Sequence, residues 1–164
     1  QDETSRLADH LMLIEEGKII GNGPINEMLT RFDLPLSHSG DAISIFDARV
    51  MSRDTDFNLM HLEFKGGQFI VPDNKLPIES LVRIRVAARD VSITKKKQTD
   101  TSILNIFPAV VEEMVPAGDA QVMVRLTLKG VILLACLTRK SASSLKLDQG
   151  LSVFIQVKSV AILS

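Results

Sequence analysis

The sequence contains no tryptophan, no tyrosine and a single cysteine, and each of these shortages argues against a class of protein. Seven phenylalanines are the remaining aromatic residues, which is few for the stacking platforms that bind single-stranded nucleic acids. The net charge of −1 also argues against a nucleic-acid or anionic-membrane surface. The one thiol, Cys136, has no partner for a disulfide within the chain, which favours a reducing compartment and a role as a small core residue.

Long apolar runs and catalytic motifs are missing as well. No run approaches the roughly 20 apolar residues of a membrane-spanning helix, and no signal-peptide pattern is seen, so we expect neither feature in this chain. His10, His38 and His61 lie far apart and have no carboxylate or cysteine at ligand spacing, so the sequence predicts no metal centre. There is no glycine-rich phosphate loop. We therefore expect no catalytic residues, no metal and no covalent cofactor in this chain.

The most informative feature that is present is an internal repeat. Three pairs of segments match in order, namely residues 45–50 with 106–111, residues 62–66 with 126–130, and residues 82–86 with 153–157. The offset grows from 61 to 71 residues, as expected for a duplicated module whose loops have collected insertions. Each segment alternates or is apolar over five or six residues, which is typical of β-strands. The sequence therefore predicts a mainly β fold of two small modules that complete each other's core.

The chain divides into four predicted regions, which are residues 1–31, a linker at residues 32–41, a first β-module at residues 42–97 and a second at residues 98–164. The first region is expected to hold a short helix capped by Asp2 or Thr4, a β-hairpin at residues 11–20, and a helix after Pro24. In the second module, residues 140–147 show helical spacing.

The second module carries polar side chains that the first module lacks. All of them donate hydrogen bonds, one is cationic and none is a carboxylate, which suits a tetrahedral oxyanion because such a ligand only accepts hydrogen bonds. The same residue types mark turns and strand ends in any β-protein, so two interpretations stay open, an oxyanion site and ordinary turn residues. The set consists of Thr101, Ser102, Asn105, Thr138, Ser141, Lys158 and Ser159.

Residues 6–20, together with Gly23-Pro24 and Glu27-Met28-Leu29, resemble the end of an ABC-transporter nucleotide-binding domain. The resemblance implies that the Walker motifs, the signature loop and the switch histidine lie before Gln1. It also implies that ATP and Mg²⁺ bind in that upstream domain and that this chain alone hydrolyses no ATP. Because the first residue is Gln1 rather than methionine, we expect a piece of a longer protein.

Residues 82–93, 101–105 and 156–160 resemble the TOBE/Mop regulatory domain of molybdate-importer ATP-binding subunits. The resemblance implies OB-like β-barrels that hold molybdate or tungstate between modules and so regulate ATP-driven transport. It further implies a homodimer formed through these modules, membrane permease subunits as partners, and a cytoplasmic location at the inner face of the membrane, without membrane insertion or nucleic acid. The ligands it implies are Ser102 with Asn105, Thr138 with Ser141, and Lys158 with Ser159.

One position departs from the resembled pattern, because Leu104 stands where the family has an arginine. Two charge-assisted hydrogen bonds to an oxyanion are worth roughly 1.5–3 kcal/mol each, so their loss weakens binding by about two to four decades. In the first module, Asp90 places a carboxylate near the position that corresponds to Lys158. Two functions are therefore weighed: a molybdate sensor, and a purely structural dimerisation module of a molybdate, sugar or polyamine importer.

Overall fold

The computed structural model describes residues 8–163, and most of the regular structure in them is β-strand. The strands are β1 (His10–Glu15), β2 (Lys18–Pro24), β3 (Ile43–Asp54), β4 (Leu59–Phe64), β5 (Gly67–Pro72), β6 (Leu81–Ala87), β7 (Val91–Thr94), β8 (Asn105–Pro116), β9 (Gln121–Leu128), β10 (Val131–Thr138), β11 (Ser152–Val157) and β12 (Ala161–Leu163). Two short α-helices are α1 (Ile25–Thr30) and α2 (Arg139–Ser144), and 3-10 turns lie at Pro35–Ser37 and Ala88–Asp90. The predicted mainly β fold is confirmed.

Strands β1 and β2 form an antiparallel hairpin at the place the sequence predicts. Glu16 and Gly17 make its turn, with φ angles of 48° and 75°. Two positive φ angles are what a two-residue turn needs to match the twist of its strands. The helix predicted after the hairpin is α1, whose first residue, Ile25, donates its N–H to the Asp9 carbonyl at 3.1 Å. The helix predicted at the very start of the chain lies outside the described residues.

The remaining strands form two five-stranded antiparallel sheets with the same internal order. The first sheet runs β12-β6-β3-β4-β5, and the second runs β7-β11-β8-β9-β10. Strands β3, β4, β5 and β6 therefore hold the places that β8, β9, β10 and β11 hold in the second sheet. The repeated segments lie in β3, β4 and β6 and their counterparts, and the second pair runs into the turns after β4 and β9. The repeat seen in the sequence is a duplication in three dimensions, and the predicted pair of OB-like modules is confirmed.

The fifth strand of each sheet comes from the other half of the chain. Strand β7 follows β6 in the chain but pairs with β11, where Ser92 stands opposite Gln156. Strand β12 follows β11 but pairs with β6, where Ile162 stands opposite Ile84. The domain boundary predicted between residues 97 and 98 stays a prediction. Strand β7 lies before this boundary and pairs with β11 after it, and strand β12 lies after the boundary and pairs with β6 before it.

The two modules repeat an irregular feature as well as their strand order. The register of β3 shifts just after Val50, and that of β8 shifts just after Val111. The carbonyl of Val50 accepts from the N–H of Glu79 at 2.8 Å, and that of Val111 accepts from the N–H of Gly150 at 2.7 Å. Glu79 and Gly150 both have left-handed backbone conformations, with φ angles of 70° and 86°. The duplication therefore kept the bulge and the turn that docks on it.

One large hydrophobic cluster contains residues of both sheets. Phe69 of β5 and Phe64 of β4 stack with ring centroids 4.8 Å apart. Phe107 of β8, in the other sheet, meets both rings edge-on, at 5.1 Å from Phe69 and 5.5 Å from Phe64. All three rings are at least nine-tenths buried. Aromatic pairs of this kind add about 0.5–1.5 kcal/mol beyond their burial, so the modules stabilise each other through this contact.

The segment predicted as a linker, residues 32–41, is partly packed against the modules. Phe32 is buried in a cluster with Leu134 of β10, and Cys136 packs at the edge of the same cluster. Burial raises the pKa of the Cys136 thiol. Cys136 is half-buried among apolar neighbours, as a small packing residue is expected to be.

Candidate functional site

Two of the six predicted oxyanion ligands line a groove on the described chain, and the other four do not line it. Thr138 and Ser141 lie where β10 runs into α2, beside a groove. Asn105 begins β8 and stands opposite Val157, the residue that precedes Lys158 and Ser159. Asn105, Lys158 and Ser159 do not line the groove beside Thr138. The structure therefore divides the predicted ligands into two groups. Ser102 is exposed in the bend that leads into Asn105 and counts with the second group.

Thr138 and Ser141 form a closely bonded pair. Strand β10 ends in Thr138, whose extended backbone turns the chain into α2. The Oγ1 atom of Thr138 accepts from the backbone N–H of Ser141 at 3.0 Å, which makes Thr138 the N-terminal cap of the helix. The hydroxyl of Thr138 also donates to Oγ of Ser141 at 2.8 Å. Both side chains are exposed and line the groove, so their remaining lone pairs and the Ser141 hydroxyl proton are available to other partners.

The groove beside this pair has a volume of about 440 Å³ and an unusual set of polar groups. Four hydroxyls and one ammonium line it, and three aliphatic side chains form the rest of its wall. No carboxylate lines it. The polar lining residues are Ser92, Thr138, Lys140, Ser141 and Ser144.

Three of these groove residues could hardly be recognised from the sequence. Lys140 and Ser144 belong to a helical segment whose exposed face is ordinarily solvated. Ser92 alternates with the buried residues Val91 and Ile93, which predicts that it faces outward. This alternation does not show that Ser92 lies beside Thr138. The position of Ser92 follows from the pairing of β7 with β11 of the second sheet.

Asn105 uses its side-chain amide to bind the other module. Its Oδ1 atom accepts from the backbone N–H of Ile70 at 2.7 Å, and its Nδ2 atom donates to the carbonyl of Ile70 at 3.0 Å. The residue is only 8% exposed. Asn105 therefore pairs with β5 as a neighbouring strand residue would, and one amide proton is left for another acceptor.

Lys158 and Ser159 are exposed at the end of β11. The backbone N–H of Lys158 donates to the carbonyl of Asp90 at 3.0 Å, so the aspartate of the first module lies next to the lysine of the second. Leu104 is 60% exposed one residue before Asn105. An exposed leucine can offer an oxyanion no hydrogen bond, so the charge of this group rests on Lys158.

A second and larger groove of about 550 Å³ lies between α1 and the two sheets. Its charges are mostly paired with each other or with close neighbours. Arg31 contacts Asp33, and Nε of Arg125 lies 3.4 Å from a carboxylate oxygen of Glu112. Within residues 8–163, no three His, Cys, Asp or Glu side chains come close enough together to hold a metal ion. The groove beside Thr138, whose lining has one ammonium and no carboxylate, is thus the better suited to an anion.

Known proteins resemble the chain along nearly its whole length. Residues 101–163, which include all six predicted ligands, match the TOBE domain family. The molybdenum import ATP-binding protein of Albidiferax ferrireducens is 46% identical over 162 residues, which is 99% of this chain and 44% of that protein. The equivalents of Aromatoleum aromaticum and Methylococcus capsulatus are 43% and 41% identical and cover 99% of the chain. The chain spans less than half the length of these relatives.

A solved structure with a similar fold is among those that the chain matches. It is a crystal structure of the cytoplasmic molybdate-binding protein ModG with molybdate bound. It superposes with a TM-score of 0.63 and covers 73% of this chain and 94% of its own. The two sequences are 20% identical, so this likeness concerns the fold. In the part of the chain that the structure describes, no helix is both long enough and apolar enough to span a membrane.

Proposed function

The chain is a homologue of the molybdenum import ATP-binding proteins over nearly its whole length, and we propose that it is the regulatory part of such a subunit. In this proposal, the paired modules bind molybdate or tungstate and thereby tune ATP-driven import. The observation that carries the proposal is the 46% identity over 99% of the chain, together with the match of residues 101–163 to the TOBE domain.

The parent protein of this proposal is an ABC importer subunit that lies on the cytoplasmic side of the membrane and contacts permease subunits. Its ATP site belongs to a part of the protein other than this chain, so the chain alone is expected to hydrolyse no ATP. The hairpin β1–β2 and helix α1 would then be the end of the ATPase domain. That origin explains why Met12, Ile14 and Ile19 on the hairpin are more than half exposed.

We place the oxyanion at an interface between two copies of the chain. The reason is the division of the predicted ligands, since Thr138 and Ser141 lie in one exposed group and Lys158 and Ser159 in another. A tetrahedral dianion needs donors on several sides, and a second copy can bring the two groups together. Homodimerisation and anion binding are thus linked in the proposal, because each copy supplies part of the site.

The mechanism is a difference in affinity between two arrangements of the dimer. An anion shifts an equilibrium only to the extent that it binds one arrangement more tightly. If the complete donor set forms in the resting arrangement, a high molybdate concentration favours that arrangement and import slows. Asn105 bonds to Ile70 of strand β5, and this contact is the route by which we expect a change at the site to affect the first module.

The test is calorimetric titration of the chain with molybdate and tungstate, with sulfate and phosphate as controls. We expect heat from molybdate and tungstate that exceeds that of the controls. No heat at about millimolar molybdate, where binding is worth about 4 kcal/mol, would contradict the sensor function. Substituting Leu104→Arg is expected to strengthen binding, and an unchanged affinity would count against the assigned ligands.

A second candidate function is favoured by the contacts of Asn105. Its amide is already engaged with Ile70, and Thr138 and Ser141 are bonded to each other, as residues of a purely structural module would be. In that case the modules hold two importer ATPase subunits together without a ligand. Sedimentation of the chain with and without molybdate separates the two functions. A dimer of unchanged stability in molybdate favours the structural one.

A further inference from the structure

The groove beside Thr138 contains two unassigned residues that can bind an anion. We infer that Lys140 and Ser92 are oxyanion-binding residues of this groove, in which Lys140 supplies the positive charge and Ser92 a hydroxyl from the exchanged strand. The inference rests on the proposed function and deepens it, because it names which residues contact the anion on this side of the site.

The charge of the groove identifies the class of ligand. Lys140 is the cationic side chain among its lining residues, and no carboxylate opposes it. Hydroxyls can donate to oxygen atoms that carry no protons, and an ammonium adds charge-assisted bonds. A cation or a zwitterion would lack a negative partner here. The lining therefore suits a small dianion with several equivalent oxygens.

Lys140 is free to turn toward an anion. In the described part of the chain its ammonium makes no hydrogen bond or ion pair. The neighbouring cation, Arg139, is held elsewhere, because its guanidinium donates to the backbone carbonyl of Asp119 at 3.0 Å. Of these two adjacent cations, Lys140 is thus the one available to the groove.

Ser92 reaches the groove because β7 leaves the first module. Its neighbours Val91 and Ile93 are buried, so the alternation of the strand turns Ser92 outward. Its Oγ lies 3.5 Å from the side-chain oxygen of Gln156, a long contact that leaves the hydroxyl able to reorient. A residue of the first module thereby becomes part of a site built on the second.

The experiment measures molybdate affinity by calorimetry in single variants of the complete 164-residue chain. Lys140→Ala is expected to weaken binding about tenfold or more, and Lys140→Arg to retain most of it, because a hydrogen bond to a charged group is involved. Ser92→Ala is expected to weaken binding about three- to tenfold. Thermal unfolding without molybdate checks that each variant is folded, which is expected since both side chains are exposed.

Two matched variants serve as controls. Ser143→Ala removes a serine of the same helix that does not line the groove, and Lys97→Ala removes an exposed lysine from the loop after β7. Both are expected to bind within about twofold of the unaltered chain. If the chain binds molybdate and Lys140→Ala and Ser92→Ala bind it equally well, this inference is wrong and the proposed function stands. If the unaltered chain binds no molybdate, both are wrong.

Discussion

Ser44 accepts a hydrogen bond from the backbone N–H of Leu134 at 2.9 Å, and this contact is the counterpart of the one between Asn105 and Ile70. Ser44 precedes the first repeated segment as Asn105 precedes the second, and Ile70 and Leu134 hold equivalent places in β5 and β10. Each module thus reaches across to the same strand of the other with a polar side chain. The two links differ in strength, because asparagine makes two bonds and serine one.

Removing the stronger link should destabilise the chain even without an anion. Asn105→Ala leaves both backbone groups of Ile70 without their partner, and each unsatisfied, partly buried group costs about 1–3 kcal/mol. We expect a loss of about 2–4 kcal/mol in the free energy of unfolding, measured by urea titration. The exposed Ser102→Ala should change it by less than about 0.5 kcal/mol. Equal stabilities of the two variants would show that Asn105 is not a structural link.

The turn that docks on each bulge requires a left-handed residue, and the second module uses glycine there. Gly150 has φ of 86°, and a Cβ atom would meet nothing within 4 Å, so Gly150→Ala adds backbone strain without a clash. We expect a loss of about 1 kcal/mol in unfolding free energy. Gly40→Ala is the matched control, because its surroundings are equally open and its φ is not in the left-handed region. A loss as large in the control would show that strain is not the cause.

The shared core and the exchanged strands should make the two modules unfold together. Phe107 packs against Phe64 and Phe69 across the sheets, and neither sheet has its fifth strand without the other half of the chain. We expect one calorimetric transition whose van't Hoff and calorimetric enthalpies agree. Phe107→Ala should lower its midpoint, at a cost of about 3–5 kcal/mol, without splitting it. Two separate transitions would contradict the coupling.

Acid should remove a stabilising contribution from Asp73. The backbone N–H of Lys75, which donates at 2.9 Å, and then the guanidinium of Arg53 at 3.0 Å lower the pKa of the Asp73 carboxyl. A lowered pKa stabilises the folded state at neutral pH, and this stabilisation is lost as the pH falls through the folded-state pKa. Asp73→Asn should therefore be less stable than the unaltered chain at about pH 7.

Comparing the stability of Asp73→Asn with that of the unaltered chain at low pH tests whether the charge of Asp73 is the cause. Below the folded-state pKa of Asp73 the carboxyl is neutral in both states, so the difference between Asp73→Asn and the unaltered chain should fade. Unfolding curves at several pH values measure it. Asp100→Asn, at an exposed position after β7, is the control for a change of one charge. A difference that stays constant with pH would show that the amide disrupts packing rather than charge.

Much of the fold could be predicted from local patterns. The hairpin turn at Glu16 and Gly17 and the helix after Thr138 follow from short-range rules, and the duplication follows from matching segments. The strand exchange could not be predicted, because the alternation around Ser92 is the same whichever sheet β7 joins. The contact of Asn105 with Ile70 could not be predicted either, since an asparagine at the start of a strand can bind a ligand or a neighbouring backbone.

The exchange of strands has a consequence for how the protein is made. The first sheet lacks its outer strand until Leu163 has been translated, so the earlier half leaves the ribosome with the edge of β6 open. An unpaired edge invites pairing with other chains, and in a growing polypeptide it persists for the time needed to add the later half. Both sheets are therefore completed in one late step, after β11 and β12 have been added.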